Sequence, residues 1–342
     1  MSETLNDIAR AMVTPGKGIL AADESTATIK KRFDTINTES TADSRRDYRE
    51  MLFRTDAAMR SYISGVILYD ETIRQNAADG TPLVTLLKNA GSVPGIKVDT
   101  GAKDLAGAPG EKVTEGLDGL RERLKEYYDL GARFAKWRGV ITIGDGMPSA
   151  ACISANAHAL ARYAALCQEQ KIVPIVEPEV LMDNPGADHS IERCDEVTRE
   201  TLNAVFAQLA EQNVALDGIV LKPNMVIAAK GAAQQASAED VAERTVACLL
   251  DCVPKEVPGI AFLSGGQEDL QATHHLSLMN AAGPLPWSLT FSYGRALQAP
   301  ALKAWGGKAE NVSAGQAAFS HRAHLHGLAT LGEWSQSQEM AA

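Results

Sequence analysis

Gly18–Asp23, with the sequence GILAAD, is the first of eight short apolar runs along the chain. The runs are nearly continuous in apolar residues and do not alternate with polar ones, which is typical of parallel strands buried on both faces. They lie at Gly18–Asp23, Gly65–Asp70, Pro94–Asp99, Phe134–Val140, Ile172–Glu179, Asp217–Asn224, Gly259–Gly265 and Trp287–Tyr293.

Amphipathic stretches between these runs predict helices, among them Thr114–Leu130, Ser154–Gln170 and Ser237–Val253. Eight strand-helix units without a linker predict an α/β fold, a single-domain (β/α)8 TIM barrel over residues 1–310. Residues 311–342 are predicted to form a C-terminal helix and a mobile, flexible tail. A doubly wound sheet is the alternative, but the turn after its first strand would be rich in glycine, and this one is not.

Composition excludes several classes of protein. The 342-residue chain has a net charge of −10 and no block rich in Lys or Arg, so nucleic acid is not an expected partner. Its five cysteines form no CxxC pair, and Cys248 and Cys252 lie in an apolar helical stretch as core thiols. No signal peptide or membrane-spanning run is present in the sequence. We therefore expect a cytoplasmic protein with no membrane association.

Barrel enzymes carry their active sites at the carboxyl ends of the strands, and polar residues are found there in this sequence. Three lysines, Lys97, Lys136 and Lys222, lie in otherwise apolar strands. A buried ammonium must be paired or must lose its charge, and an amine near carboxylates is suited to Schiff-base catalysis. The alternative for each lysine is a stem packed on the barrel with its charged end in water.

The ends of the last two strands carry glycines. Ser264-Gly265-Gly266 and Gly294 allow the backbone to approach an anion, and Arg295 adds a positive charge. Loops at these positions often bind phosphate in barrels, although each could be an ordinary tight turn. His321, His324 and His326 have no Cys or carboxylate partner at metal-ligand spacing, so we expect a surface helix there and no metal site. His274 and His275 lie in a polar helical stretch, and we expect both to be solvated.

Several blocks of the sequence resemble class I fructose-bisphosphate aldolase, in the same order and with compatible spacing from about residue 3 to about residue 310. These blocks are Gly16–Ser25, Phe134–Arg138, Ile172–Glu179, Leu221–Met225, Phe262–Gln267, Leu289–Leu297 and Ala301–Gly307. Their length and polarity make the resemblance specific.

The resemblance implies roles that the residue pattern alone leaves open. It places the Schiff-base lysine at Lys222, with Lys136 beside it, where the charge of Lys136 favours a neutral amine. Glu177 would transfer protons, Asp23 would engage the hydroxyl at the scissile bond, and Glu179 would order the lysine cluster. The implied site for the phosphate next to the ketone comprises Ser264, Gly265, Gly266, Ser292, Gly294 and Arg295. The implied residues for the rest of the substrate, including its distal phosphate, are Arg32, Ser25, Thr28, Lys97 and Arg138.

The implied activity is the reversible cleavage of fructose 1,6-bisphosphate into dihydroxyacetone phosphate and glyceraldehyde 3-phosphate, in glycolysis and gluconeogenesis. The lysine replaces the metal of class II enzymes, so we expect no cofactor, and the partners would be phosphorylated ketoses and trioses. A homotetramer is implied as well. The resemblance leaves open the preference among fructose 1,6-bisphosphate, fructose 1-phosphate and sedoheptulose bisphosphate.

One departure from the family concerns the tail. Animal enzymes of the family end in a tyrosine used in enamine protonation, whereas the last tyrosine here is Tyr293. We therefore predict slower enamine protonation than in a tyrosine-tailed homologue. Two alternatives stay open: a transaldolase, which would need a single phosphate site, and an inactive aldolase-like scaffold, which should have lost Lys222, Glu177 or Asp23.

Overall fold

The computed structural model describes residues 3–340, and between these limits the chain forms ten strands and thirteen α-helices. The strands are β1 (Gly18–Ala22), β2 (Ile63–Leu68), β3 (Val93–Lys97), β4 (Gly101–Asp104), β5 (Lys112–Glu115), β6 (Phe134–Ile141), β7 (Val173–Val180), β8 (Val220–Leu221), β9 (Gly259–Phe262) and β10 (Ser288–Tyr293).

The helices surround the barrel or connect its strands. They are α1 (Leu5–Met12), α2 (Thr26–Asp34), α3 (Ala42–Phe53), α4 (Asp56–Tyr62), α5 (Asp70–Arg74), α6 (Leu83–Asn89), α7 (Leu120–Asp129), α8 (Ala150–Glu169), α9 (Ile191–Glu211), α10 (Ala238–Cys252), α11 (Asp269–Ala281), α12 (Arg295–Trp305) and α13 (Val312–Ala329). Short 3-10 turns lie at Leu216–Gly218, Ala309–Asn311 and Gln336–Met340.

Eight strands close into a barrel in the order β1-β10-β9-β8-β7-β6-β3-β2, and every neighbouring pair is parallel. Each of the eight apolar runs contributes one of these strands, so the predicted (β/α)8 barrel is confirmed. The strands are apolar throughout because the barrel interior covers one face and the helices cover the other.

The hydrophobic core has two layers. One lies between the strands and the surrounding helices and contains most of the buried side chains. The other fills the barrel interior, where Ile19, Ile67 and Ile175 meet Met12 of α1. Helix α1 therefore closes the amino-terminal end of the barrel, and only the carboxyl end remains open for a site.

The prediction of a helix over Thr114–Leu130 is wrong in its first part. Thr114 lies in β5, which pairs with β4 in an antiparallel hairpin, and its hydroxyl donates to the carbonyl of Arg138 at 2.6 Å. Helix α7 begins only at Leu120, after Gly119 with a φ of 65°. The predicted N-cap residue Thr114 is thus part of a strand. The helix begins later because Gly116 and Gly119, both with a positive φ, separate the hairpin from α7.

Two histidine predictions are wrong at one residue each, because His324 is exposed as predicted and His321 and His274 are half-buried, whereas His326 and His275 are buried. His326 is fully buried in α13, with its ring centroid 5.0 Å from that of Tyr293 and its Nδ1 3.1 Å from the hydroxyl of Thr273. His275 is buried as well, and its Nδ1 lies 2.6 Å from Oε1 of Gln267. Hydrogen-bonded partners make these burials tolerable, and nothing in the local residue pattern pointed to those partners.

The end of the described chain folds against the barrel. Helix α13 packs on α12, α11 and α4, and Phe319 of this helix belongs to the core. Beyond the helix, Glu339 accepts two hydrogen bonds from buried Arg322, each 2.8 Å long. Mobility of the tail and the division at residue 310 stay predictions.

All five cysteines are free and buried, which agrees with the interpretation of Cys248 and Cys252 as core thiols. Within residues 3–340, no helix combines the length and the apolar character needed to cross a bilayer.

Candidate active site

A cavity of 520 Å³ lies at the carboxyl end of the barrel, and all eight barrel strands or the loops after them contribute to its wall. One contributor from each strand in chain order is Asp23, Tyr69, Asp99, Lys136, Glu177, Lys222, Ser264 and Ser292. The site is thus assembled from residues that are far apart in sequence, at the end of the barrel that α1 leaves open.

Four charged side chains form a compact cluster at the bottom of this cavity. The Nζ of Lys222 lies 3.0 Å from Oε1 of Glu177, and the Nζ of Lys136 lies 3.4 Å from Oε2 of the same carboxylate. Lys136 also pairs with Asp23 at 2.8 Å. Because Lys222, Lys136 and Glu177 are at most 5% exposed, water screens these pairs far less than surface pairs.

The strand geometry explains why these side chains meet. In β6, Trp137 faces outward and stacks on Tyr163 of α8, with ring centroids 5.6 Å apart. Because side chains alternate between the two faces of a strand, Lys136 faces inward. The amide of Lys222 donates to the carbonyl of Val176 at 2.8 Å, which places Lys222 next to Glu177.

Mutual pairing favours the charged forms of Asp23, Glu177 and Lys136. Although burial opposes ionisation, Lys136 and Lys222 lower the pKa of Asp23 to about 2, and the same two lysines lower the pKa of Glu177. Burial also disfavours the charge on Lys136, but Asp23 and Glu177 outweigh it and raise the pKa of Lys136. A buried lysine must be paired or must lose its charge, and Lys136 is paired.

Lys97 and Arg138 line the same cavity but are held by other carboxylates. Lys97 forms an ion pair with Asp99 and also donates to the carbonyl of that residue at 2.8 Å. Arg138 forms an ion pair with Glu179. The three strand lysines therefore fall into two groups, because Lys97 does not share the carboxylates of Lys136 and Lys222.

Ser25, Thr28 and Arg32 lie on one side of the cavity. Ser25 caps α2, and its Oγ lies 3.1 Å from the hydroxyl of Thr28. A Cβ built on Gly294 would lie 3.4 Å from Nη2 of Arg32, so this guanidinium approaches the loop after β10. Arg32, which the resemblance assigns to the distal phosphate, therefore lies close to Gly294, which it assigns to the phosphate next to the ketone.

The glycine-bearing loop after β9 is tightly packed. A Cβ on Gly265 would lie 2.9 Å from Oε1 of Glu179, and one on Gly266 would lie 2.4 Å from the Cβ of Met182. Gly266 also has a φ of 75°, which disfavours other residues. Nearby, the buried Oγ of Ser292 has no hydrogen-bond partner within residues 3–340, although it borders the cavity. A substrate oxygen is a suitable partner for it.

Fourteen of the sixteen site residues predicted from the sequence line the cavity, and Gly266 and Arg295 do not. Arg295 is exposed at the start of α12 and donates to the carbonyl of Gln267 at 3.3 Å. The sequence prediction omitted Glu24, Tyr69 and Asp99. Tyr69 directly follows β2, and Glu24 and Asp99 lie two residues after β1 and β3, so all three could have been found by their position at the end of a strand.

Among the described residues, no three or more His, Cys, Asp or Glu side chains are placed to hold a metal ion. What the arrangement offers instead is an amine in contact with a carboxylate, enclosed by further charged groups. Such a pair can form and hydrolyse an imine with a carbonyl compound.

Comparison with known proteins points in the same direction. A family model described as fructose-bisphosphate aldolase class-I matches residues 4–342. The chain is 59% identical over 333 residues to a probable fructose-bisphosphate aldolase class 1 of Xanthomonas campestris pv. campestris, covering 97% of this chain and 98% of the relative. It is 52% identical over 328 residues to the cytosolic fructose-bisphosphate aldolase 4 of Arabidopsis thaliana, covering 96% of this chain and 82% of the relative.

A solved structure shares the fold. It is fructose-bisphosphate aldolase from Plasmodium falciparum in complex with TRAP and a small-molecule inhibitor. The two superpose with a TM-score of 0.93 at 49% sequence identity, covering 97% of this chain and 95% of the other.

Proposed function

The chain belongs to the class I fructose-bisphosphate aldolase family, and we propose that it cleaves its substrate through a Schiff base on Lys222. The reaction is the reversible cleavage of fructose 1,6-bisphosphate into dihydroxyacetone phosphate and glyceraldehyde 3-phosphate. Its separate steps fall to a small number of residues in the cavity wall.

The contact between Lys222 and Glu177 carries the proposal. With Nζ and Oε1 only 3.0 Å apart, Glu177 can accept a proton from the ammonium and leave a neutral amine. Oε2 of Glu177 lies 3.4 Å from Nζ of Lys136, so the positive charge of Lys136 offsets the negative charge of Glu177 before Glu177 takes the proton. Lys97 and Lys136 also line the cavity and contact carboxylates, so the choice of Lys222 among the three follows the family resemblance.

In the first half of the reaction, Nζ of Lys222 attacks the ketone carbon of the substrate and forms a carbinolamine. Glu177 returns its proton to the hydroxyl that leaves as water, and a protonated imine remains. This iminium withdraws electrons from the neighbouring carbon–carbon bond. The lysine thereby supplies the electron sink that the bond cleavage needs.

In the second half, Asp23 receives the proton of the hydroxyl on the far side of the scissile bond. The carbon–carbon bond breaks, its electron pair moves into the iminium, and glyceraldehyde 3-phosphate leaves while an enamine stays on Lys222. Protonation of the enamine and hydrolysis of the resulting imine release dihydroxyacetone phosphate. Lys136 holds Asp23 in place at 2.8 Å, and Glu179 fixes Arg138 at the cavity wall.

Two groups of residues bind the two phosphates in this proposal, and Arg32 of one group lies close to Gly294 of the other. The ketone-side phosphate is bound by Ser264, Gly265, Ser292 and Gly294, and the distal phosphate by Arg32, Ser25, Thr28 and Lys97. Gly266 and Arg295, which the resemblance also assigns to the ketone-side phosphate, lie outside the cavity wall. The unpartnered hydroxyl of Ser292 supports the first group. The neighbouring hydroxyls of Ser25 and Thr28 support the second.

Borohydride reduction with dihydroxyacetone phosphate in the presence of EDTA tests the assignment. We expect an intact-mass increase of one adduct per chain, located by peptide mapping at Lys222, and unchanged cleavage activity in the chelator. A Lys222→Met variant should form no adduct. Lys230→Met, which changes an exposed lysine paired with Glu268, serves as the matched control and should be labelled like the wild type.

The location of the adduct separates the possible outcomes. An adduct at Lys97 or Lys136 would keep the chemistry and overturn the choice of nucleophile. No adduct on the active wild-type enzyme would refute the Schiff base itself.

We further propose a homotetramer in the cytoplasm. Five free, buried thiols fit a reducing compartment, and the Arabidopsis relative is named as cytosolic. Sedimentation equilibrium should give four chain masses per particle, and a particle of one or two chains would contradict the tetramer.

A further inference from the structure

A chain of alternating charges leads from the outside of the barrel to the cavity. Arg45 and Arg49 of α3 are interleaved with Glu71 and Glu24, and the chain ends at Arg32 in the cavity wall. Glu71 receives two hydrogen bonds from Arg45, and its Oε2 lies 3.8 Å from Nη1 of Arg49. Only Arg32 of these five residues has a role in the proposed function.

Arg49 is the central cation of this chain and is 1% exposed. Its Nη2 donates to the carbonyl of Glu24 at 2.9 Å and lies 3.7 Å from Oε2 of the same residue. Its Nε and Nη1 have no hydrogen-bond partner among the described residues. A guanidinium buried with free donors is costly, so a compensating role is expected at this position.

Glu24 stands between the two arginines. One carboxylate oxygen, Oε1, pairs with Arg32 and accepts a hydrogen bond from buried Gln298 at 2.9 Å. The other, Oε2, is buried and has no hydrogen-bond partner within residues 3–340. Tyr48 donates to Gln298 at 3.2 Å and holds that amide in place. The carboxylate of Glu24 is therefore fixed on its Arg32 side and unsatisfied on its Arg49 side.

We propose that Arg49 is a positioning residue that offsets the charge of Glu24 and so leaves Arg32 able to bind a substrate phosphate. The proposal rests on the proposed function, in which Arg32 contacts a phosphate. When the phosphate draws Arg32 away from Glu24, the carboxylate loses its main ion pair while remaining buried. Arg49 supplies the second cation at that moment, because its Nη2 lies 3.7 Å from Oε2 of Glu24.

Charge counting explains why a second cation is needed. Glu24 and Arg32 alone form a neutral pair that would bind an anion only after breaking. With Arg49 present, the group of Glu24, Arg32 and Arg49 keeps one positive charge next to the cavity. Arg49 never reaches the cavity itself, because it does not line the wall and is fully covered.

A double-mutant cycle distinguishes this role from simple structural support. We expect Arg49→Met to raise the KM for fructose 1,6-bisphosphate and the inhibition constant of inorganic phosphate about tenfold, or about 1.4 kcal/mol of binding free energy. The kcat should change less than about twofold, because the cluster around Lys222 is untouched. Arg49→Lys should recover most of the affinity. In the double variant Glu24→Gln with Arg49→Met, both opposing charges are gone and the KM should return to within about threefold of the wild type.

Controls separate folding defects and a failed mechanism from a failed proposal. Arg46→Met changes the neighbouring arginine of α3, which pairs with Asp43 and Asp47 at the surface, and should keep the wild-type KM. An unchanged KM in Arg49→Met, or a double variant no better than Arg49→Met, overturns the role of Arg49. Borohydride labelling with dihydroxyacetone phosphate is carried out on the wild type and on every variant. If the wild type forms no adduct at Lys222, the Schiff base is refuted, whatever the KM values of the variants are.

Discussion

Glu177 is the residue on which the proposed chemistry depends, because its two oxygens contact two different lysines. We expect Glu177→Gln to lower kcat by about 10²–10⁴-fold, the usual contribution of a positioned acid–base group. The amide preserves the shape of the side chain but can neither take the proton of Lys222 nor return it to the leaving hydroxyl. Steady-state kinetics with fructose 1,6-bisphosphate, together with the rate of borohydride labelling, measure the effect.

Glu196→Gln is the control for this substitution, because Glu196 is an exposed residue of α9 paired with Arg193. It should keep the wild-type kcat. A Glu177→Gln enzyme within about threefold of the wild-type kcat would move proton transfer to another group, since acid–base catalysis contributes much more than that.

Asp23 predicts a pH dependence of stability. Its folded-state pKa of about 2 lies below the value of about 3.9 in an unfolded chain, so its ionisation favours the folded state. This contribution is fully present above pH 4 or so and is lost as the pH falls toward about 2. The stability difference between the wild type and Asp23→Asn should therefore shrink by about 1 kcal/mol between pH 5 and pH 3. Urea unfolding at both pH values measures it, and a constant difference would contradict the prediction.

The limits of sequence reasoning are visible among the three lysines. Their placement in apolar strands was enough to predict an unusual charged site. Choosing among them was not possible from the residues alone, because the choice depends on which carboxylate each lysine meets across the barrel. Lys97 meets Asp99, two residues away, whereas Lys222 meets Glu177 from another strand.

At the scale of elements, burial on both faces made the barrel strands predictable from their apolar runs. The length of β8 and the hairpin of β4 and β5 could not be predicted in this way. Strand β8 contains only Val220 and Leu221, because a 3-10 turn precedes it and Pro223 lacks the N–H that would extend it. The hairpin of β4 and β5 was missed because each strand has only four residues and neither carries an apolar run. Pairing with a neighbour, which the sequence does not show, defines such strands.

The loop between β9 and α11 gives a prediction at this scale. Gly266→Ala should destabilise the fold by about 1–3 kcal/mol, because alanine disfavours a positive φ and its Cβ would overlap Met182. Since the neighbouring Gly265 belongs to the proposed phosphate site, the KM should rise as well. Gly107→Ala, at a φ of 81° with open space around it, is the matched control for backbone strain alone.

Thermal unfolding of the two variants separates the strain from the steric overlap. If Gly266→Ala lowers the Tm no more than Gly107→Ala, the contact with Met182 has no effect on stability. If it lowers the Tm without raising the KM, the loop does not position the phosphate.

At the scale of the whole molecule, the charges of the cavity and of the chain differ. The chain carries a net charge of −10. Five cations in the cavity wall face five carboxylates, so their formal charges cancel. The cations are Arg32, Lys97, Lys136, Arg138 and Lys222, and the carboxylates are Asp23, Glu24, Asp99, Glu177 and Glu179. The described cavity wall therefore carries no excess of positive charge that would attract an anionic substrate from a distance.

This balance predicts a weak dependence of substrate capture on salt. A cleft with a strong positive field loses association rate steeply as ionic strength rises, because the Debye length shortens. In the proposed function, the substrate phosphates exchange partners with paired side chains at contact distance, where screening by salt is small. We therefore expect kcat/KM to change less than about threefold between about 20 and 200 mM KCl. Glu24→Gln, which frees one positive charge at the cavity, should steepen the salt dependence. A tenfold fall in the wild type over this range would show that a long-range field, and not the exchange of ion pairs, brings the substrate in.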